Sequence, residues 1–99
     1  MKKVMVQFNM PGTTVKQFDA CWNDLRAAGH SNPKGLIHHV GGQQGNNLVV
    51  SDVWESAEAF NKFGEILMPI LQKNGFPNVP PVITPVHYEY SGAEAFATH

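Results

Sequence analysis

Alternation of apolar and polar side chains opens the chain. Val4, Val6 and Phe8 alternate with Lys3, Met5, Gln7 and Asn9, the period of two that marks a strand. Pro11-Gly12 is the signal that ends it. Thr14-Val15-Lys16-Gln17 then has the capping-box pattern, in which a Thr hydroxyl and a Gln amide satisfy exposed N–H groups at a helix start. Val15, Phe18, Trp22 and Leu25 recur at steps of three and four, one face of a helix that Gly29 stops.

After the Asn32-Pro33 turn, Leu36 to Gly41 reads as a second strand. Gly41-Gly42-Gln43-Gln44-Gly45-Asn46 reads as a polar, flexible hairpin connection. Leu48 to Trp54, rich in valine, is a third strand. Ser56 is placed to cap a second helix, with Glu58 in its first turn where the helix dipole favours an acid. Phe60, Phe63, Leu67 and Ile70 or Leu71 form its apolar stripe. Pro69 predicts a kink there, or a stop and a short restart, because proline removes an N–H and clashes with the preceding turn. Gly75 closes the segment, residues 76–81 form a proline-rich loop, and residues 82–90 alternate as a fourth strand. Pro85 within that strand implies an edge or a bulge.

The order β-α-β-β-α-β is the split βαβ or ferredoxin-like arrangement, an α+β fold. It predicts a four-stranded antiparallel sheet with two helices on one face. Residues 1–90 make a single domain on this reading, and residues 91–99 a small, polar C-terminal tail expected to be mobile. The face without helices needs cover, which predicts pairing with a second copy of the chain.

Composition narrows the classes. A chain of 99 residues buries only about 60–65% of its unfolded surface, so a partner surface would help it. Apolar content of 42% with 10% aromatics is ordinary for a soluble globular protein. Seven Lys+Arg against eight Asp+Glu give a net charge of −1, with no basic footprint for nucleic acid or anionic lipid. RNA-recognition modules share the same element order. They open their third strand with a basic residue and carry aromatics on it, and Leu48-Val49-Val50-Ser51-Asp52-Val53 has neither. The single cysteine, Cys21, excludes an internal disulfide and a Cys-based zinc cluster. Met1-Lys2-Lys3 resembles the start of a signal peptide, but the apolar stretch breaks at Gln7, Asn9 and Pro11. No apolar run reaches the ~20 residues of a membrane span. The expectation is a cytoplasmic protein with no nucleic-acid or membrane partner.

Five positions carry candidate chemistry. Asp52 shares a strand face with Val50 and Trp54, where an unpaired carboxylate is costly. His38 or His39 lies across the hairpin from it, according to the register of the loop. An Asp–His pair would hold the imidazole in one tautomer, as a general base requires, or serve as a structural hydrogen bond alone. The two histidines are neighbours on a strand and point to opposite faces, so they cannot chelate one ion together. A metal would need one of them with His87 and Asp52, and nothing in the spacing demands it. Cys21 beside the apolar helix face reads as a buried, inert thiol.

The run Trp54-Glu55-Ser56-Ala57-Glu58-Ala59-Phe60, with Val50 to Val53 before it, resembles the strand-to-helix junction of the dimeric α+β barrel superfamily, which includes the antibiotic-biosynthesis monooxygenase-like proteins. Gly35 to Gly41 and Pro85-Val86-His87 also look like strands of an uncharacterised branch of it. The resemblance implies two sheets packed face to face as a homodimer, and in each subunit a pocket between sheet and helices. Some members oxygenate polycyclic phenols without metal or cofactor. Others degrade haem with a Trp matching Trp54 and a later histidine; here that stretch reads Phe63-Gly64-Glu65-Ile66, and haem ligation is not carried over.

The reading that results is a homodimer binding a small apolar or aromatic ligand, with no cofactor and no metal. It acts either as a monooxygenase-like enzyme on an aromatic or acyl-chain metabolite or as a non-enzymatic, ligand-sequestering or protein-interaction dimer. His39 is the candidate base and Asp52 its orienting partner. Trp54 and Phe60 line the ligand site among Phe8, Phe18, Trp22 and Phe63, and Asn9 (or Gln7) and His87 supply further polar contacts.

Overall fold

A computed structural model describes residues 2–90 and Gly92, so most of the expected C-terminal tail (residues 91–99) lies outside the described residues. The elements run β1 (Val4–Pro11), α1 (Val15–Ala27), β2 (Leu36–Gln44), β3 (Asn47–Trp54), α2 (Ala57–Lys73) and β4 (Val82–Pro85). The strands form one antiparallel sheet in the order β2-β3-β1-β4. This is the ferredoxin-like α+β fold expected from the sequence.

Strand alternation sorts the core from the open face. Val4, Val6, Phe8 and Met10 of β1 and Leu48, Val50 and Trp54 of β3 are buried on the helix side with Phe60 of α2. Met5, Gln7 and Asn9 point the other way, with Val49, Ser51 and Val53 opposite them.

Both helices are bounded as their sequences dictate. Thr14 Oγ1 accepts the Gln17 N–H, and Gln17 Oε1 accepts the Thr14 N–H at 2.9 Å, a complete capping box. Ser56 Oγ accepts the Ala59 N–H at the start of α2. Gly29 and Gly75, at φ of 85° and 75°, follow the last turns and form the paired bonds of the Schellman motif. Gln17 Nε2 also donates to the Asn74 carbonyl at 3.0 Å, which ties the start of α1 to the end of α2.

Three elements differ from expectation. The hairpin is tighter: β2 and β3 pair as far as Gln44 and Asn47, leaving only Gly45 and Asn46 as the turn. Gln43 explains why the polar run stays extended. Its amide donates to the carbonyls of Thr13, Gly45 and Asn47 and accepts the Val15 N–H, pinning the hairpin to the start of α1. Of the two outcomes expected at Pro69, the stop with a restart does not occur, since α2 runs on to Lys73 with the proline inside it. Pro69 and Glu65 are both exposed, so the carbonyl that proline leaves without a helical partner lies on the solvent side. Finally, β4 spans four residues rather than nine. The Val86 N–H makes the last bond to β1, at the Lys3 carbonyl, and Pro85 occupies a position of this edge strand whose N–H would face outward, where proline costs the ladder nothing.

Register in the hairpin is set from the turn. Counting back from Gln44↔Asn47 places Gly41 opposite Val50, His39 opposite Asp52 and His38 opposite Val53. The same count would set Ile37 against Trp54, but a bulge between Leu36 and His38 absorbs Ile37 and lets Leu36 take that place. His39 is therefore the histidine on Asp52's face, and His38 lies on the open side.

Candidate functional site

The site is assembled from three elements on the helix side of the sheet. Asp52 and Trp54, two residues apart on β3, share a face, and His39 of β2 stands across from Asp52. Phe18 and Trp22 are one helical turn apart on α1 and lie over the imidazole. Gly41, two residues along β2 from His39, leaves room for the Phe18 ring. A Cβ there would lie 3.0 Å from Phe18 Cε2.

The polar groups form one directed chain. His39 Nδ1 donates to Asp52 Oδ1, and Trp54 Nε1 donates to Asp52 Oδ2 at 3.1 Å. Trp22 Nε1 donates to His39 Nε2 at 3.1 Å. An indole N–H only donates, so Nε2 must offer its lone pair and the ring hydrogen sits on Nδ1. Phe18 stacks on the imidazole with ring centroids 5.5 Å apart and planes within 6°, while Trp22 meets it edge-on at 65°. The Asp52 side chain is 7% exposed and that of His39 23%. Both carboxylate oxygens are satisfied, as burial requires, and no buried side-chain polar atom among the described residues lacks a partner.

Around this chain lies a cavity that leaves about 50 Å³ open to the centre of a water molecule. Phe8, Met10, Leu36, Val50, Phe60, Phe63, Leu67, Leu71 and Phe76 line it with the groups above. A volume of this size holds a few waters, and an aromatic ring enters only when lining side chains move apart. A groove of about 450 Å³ between α2 and the 76–81 loop shares Phe8, Met10, Phe60, Leu67, Leu71 and Phe76 with the cavity, so these side chains form the wall between the two spaces.

The other titratable groups near the site are quiet. Burial, and then the charge of Asp24, pushes the Cys21 thiol up to about 11, which keeps it protonated and poorly nucleophilic. Asp24 is held below its usual range, first by the Asn74 amide and then by the Lys73 ammonium, with desolvation opposing both. It braces α1 against α2 through that amide at 3.0 Å. Among the described residues no three His, Cys, Asp or Glu side chains gather as they would around a metal ion.

Of the residues singled out from the sequence, His39, Asp52, Trp54 and Phe60 come together at this cavity. Asn9 does not: it is exposed on the opposite face of the sheet, because its parity along β1 is that of Met5 and Gln7. His87 is exposed beyond the end of β4 and does not reach the cavity either, since the short strand releases the chain before it. Trp54 is also placed differently from a free stacking platform. It is 1% exposed, lies against Phe60 and Phe63, and spends its N–H on Asp52. The Trp22–His39 bond and the Phe18 stack were not anticipated. Their signal was the four-residue spacing of two aromatics on one face of α1, which also describes ordinary core packing.

Similarity to known proteins is confined to shape. No protein-family model matches the chain, and no curated protein matches it. Among solved structures, a protein of Chloroflexus aurantiacus J-10-fl whose name assigns it to the antibiotic biosynthesis monooxygenases superposes with a TM-score of 0.56. The two are 16% identical, over 90% of this chain and 97% of that one. A conserved protein of Methanosarcina mazei Go1 superposes with a TM-score of 0.54 at 11% identity, over 90% and 95% of the two chains. At such identities the likeness establishes the fold and leaves the chemistry to the side chains.

Proposed function

We propose that this chain works as a homodimer whose subunits each take a small apolar or aromatic ligand between sheet and helices, and that His39 acts on that ligand as a base. The support for it is one arrangement: an imidazole lining an otherwise apolar cavity, held in a single tautomer by a buried carboxylate. Asp52 is a positioning residue in this reading. Both its oxygens are engaged, so it orients His39 and stabilises the imidazolium that forms when Nε2 takes a proton from the ligand. The monooxygenase-like form of the reaction takes molecular oxygen as oxidant: the ligand gives up two hydrogens and gains one oxygen atom as a carbonyl, and those hydrogens leave with the other oxygen atom as water, one of them by way of Nε2. The reading calls on no metal and no cofactor. A ligand larger than the cavity enters by parting Phe60 and Phe76 toward the groove along α2.

The dimer rests on the uncovered face of the sheet. Val40 and Val82 are 64% and 63% exposed there, with Met5, Val49 and Val53 between them. Packing two such faces would form a closed, barrel-like core.

Native mass spectrometry tests both parts at once. A mass of two chains carrying a co-purified small molecule is expected; a bare monomer would overturn the proposal. With the ligand identified, His39→Gln and Asp52→Asn are expected to abolish turnover while binding persists. A ligand-sequestering dimer is the second reading, favoured by the Trp22 N–H that already occupies Nε2. Binding without any reaction in the unaltered protein would decide for it.

A further inference from the structure

The hydrogen-bond chain Trp22→His39→Asp52←Trp54 has only one link that a ligand can replace. Asp52 is enclosed, with both oxygens taken. Trp54 is 1% exposed and wedged against Phe60 and Phe63. Trp22, by contrast, is only partly buried, at the outer end of the chain. It touches His39 by its edge and through a single N–H, with ring centroids 5.0 Å apart. The imidazole does not depend on it for orientation, because Phe18 stacks flat on the ring and Asp52 holds Nδ1.

From this we infer that Trp22 is a removable cap on His39: its indole N–H closes Nε2 in the free protein and gives way when a ligand brings its own donor to the same lone pair. The inference rests on the proposed ligand cavity and adds a selection rule to it. The exchange is donor for donor, so the site takes a neutral hydroxyl or N–H group on an apolar body. An anionic headgroup finds no partner. Among the described residues the titratable groups facing the cavity are Asp52 of β3, His39 of β2 and Cys21 of α1, and α2 presents Phe60, Phe63, Leu67 and Leu71. A carboxylate entering there would meet a lone pair, a buried carboxylate and no cation, with a desolvation cost that nothing offsets. Trp22 is thus a specificity-determining residue as well as a cap: it keeps the base shut against ligands that cannot donate.

The chain has two tryptophans, so the test reads two indole N–H signals in a ¹⁵N–¹H spectrum, and Trp22→Phe assigns them. The probes are 2-naphthol, naphthalene and 2-naphthoate at neutral pH. Binding of 2-naphthol is expected to speed water exchange of the Trp22 N–H at least roughly tenfold, the scale of losing one hydrogen bond, and to leave Trp54 protected. Naphthalene is expected to bind without releasing Trp22, and 2-naphthoate not to bind. Trp22→Phe keeps an aromatic ring, smaller than the indole, and removes the donor. It is expected to bind 2-naphthol roughly fivefold tighter with naphthalene affinity unchanged, since one hydrogen bond no longer has to be broken. A Trp22 N–H that stays protected while 2-naphthol binds would overturn the cap and leave the cavity standing. So would a Trp22→Phe protein that loses affinity for 2-naphthol and naphthalene alike, the mark of a packing role. Failure of 2-naphthol and naphthalene to bind either protein would overturn the cavity reading, and the cap with it.

Discussion

His38 and His39 are neighbours in sequence, and each meets a carboxylate, yet they stand in different worlds. His38 on the open face reaches Glu89 at 3.0 Å, with side chains 47% and 24% exposed. His39 on the helix face meets Asp52 with both partners largely enclosed. Glu89 is shared with the Lys3 ammonium at 2.8 Å and remains free to exchange partners with water. Asp52 is shared with an indole that cannot move. The same two residue types therefore give a screened surface contact on one side of a strand and a fixed, oriented dyad on the other. What separates them is the burial and the second donor that each carboxylate receives.

The comparison can be broken from its strong side first. Asp52→Ala would leave the His39 and Trp54 donors buried without an acceptor, and is expected to cost about 2–5 kcal/mol in urea denaturation. Trp54→Phe removes one of the two donors to Asp52 and should cost about 1–3 kcal/mol, measured the same way. Two adjacent glycines then compare the faces directly. Gly41→Ala drives a Cβ to within 3.0 Å of Phe18, and is expected to lose about 1 kcal/mol and to disturb the stack on His39, read from the imidazole proton shifts. Gly42→Ala, pointing to the open side with nothing within 4 Å, should leave stability unchanged or raise it by up to about 0.5 kcal/mol.

The smallest effect belongs to the open face. The Lys3 ammonium, as hydrogen-bond donor and then as charge, with His38 adding to it, holds the Glu89 carboxyl below its usual range against a weaker desolvation effect. A depressed carboxyl contributes stability above its unfolded value and loses it as pH falls through the folded one. Any difference between the native chain and Glu89→Gln in urea midpoints should thus be slight at neutral pH and vanish on acidification. A difference that persisted in acid would show that Glu89 matters through packing.

The fold was open to sequence reading because its signals are local and redundant. The capping box at Thr14 and Gln17, the stop glycines 29 and 75, and the alternation of Val4, Val6 and Phe8 each follow from a few adjacent residues. The site was only half open to it. That Asp52 and Trp54 share a face follows from a spacing of two. That the histidine opposite is His39 depends on a two-residue turn, which the polar run from Gly41 to Asn46 does not single out. The Gln43 bonds that keep that run extended reach across to Thr13 and Val15, a tertiary effect invisible along the chain. Asn9 and His87 were misplaced for related reasons, one by strand parity and the other by a fourth strand that ends at Pro85.

The bulge at Ile37 works as an expansion joint. Pairing from the hairpin turn down to His39 is counted from one end of the strand, and the seating of Leu36 on the core is fixed from the other. The mismatch of one residue between the two counts is taken up at Ile37, which is 39% exposed and carries no share of the dyad. Removing Ile37 should therefore straighten the strand and keep His39 opposite Asp52. A residue gained or lost between His39 and the turn would instead exchange the two histidines across the sheet. The chain leading into this strand is thus free to change length without disturbing the dyad, whereas the twelve residues from Val40 to Ser51 carry it to its partner by count.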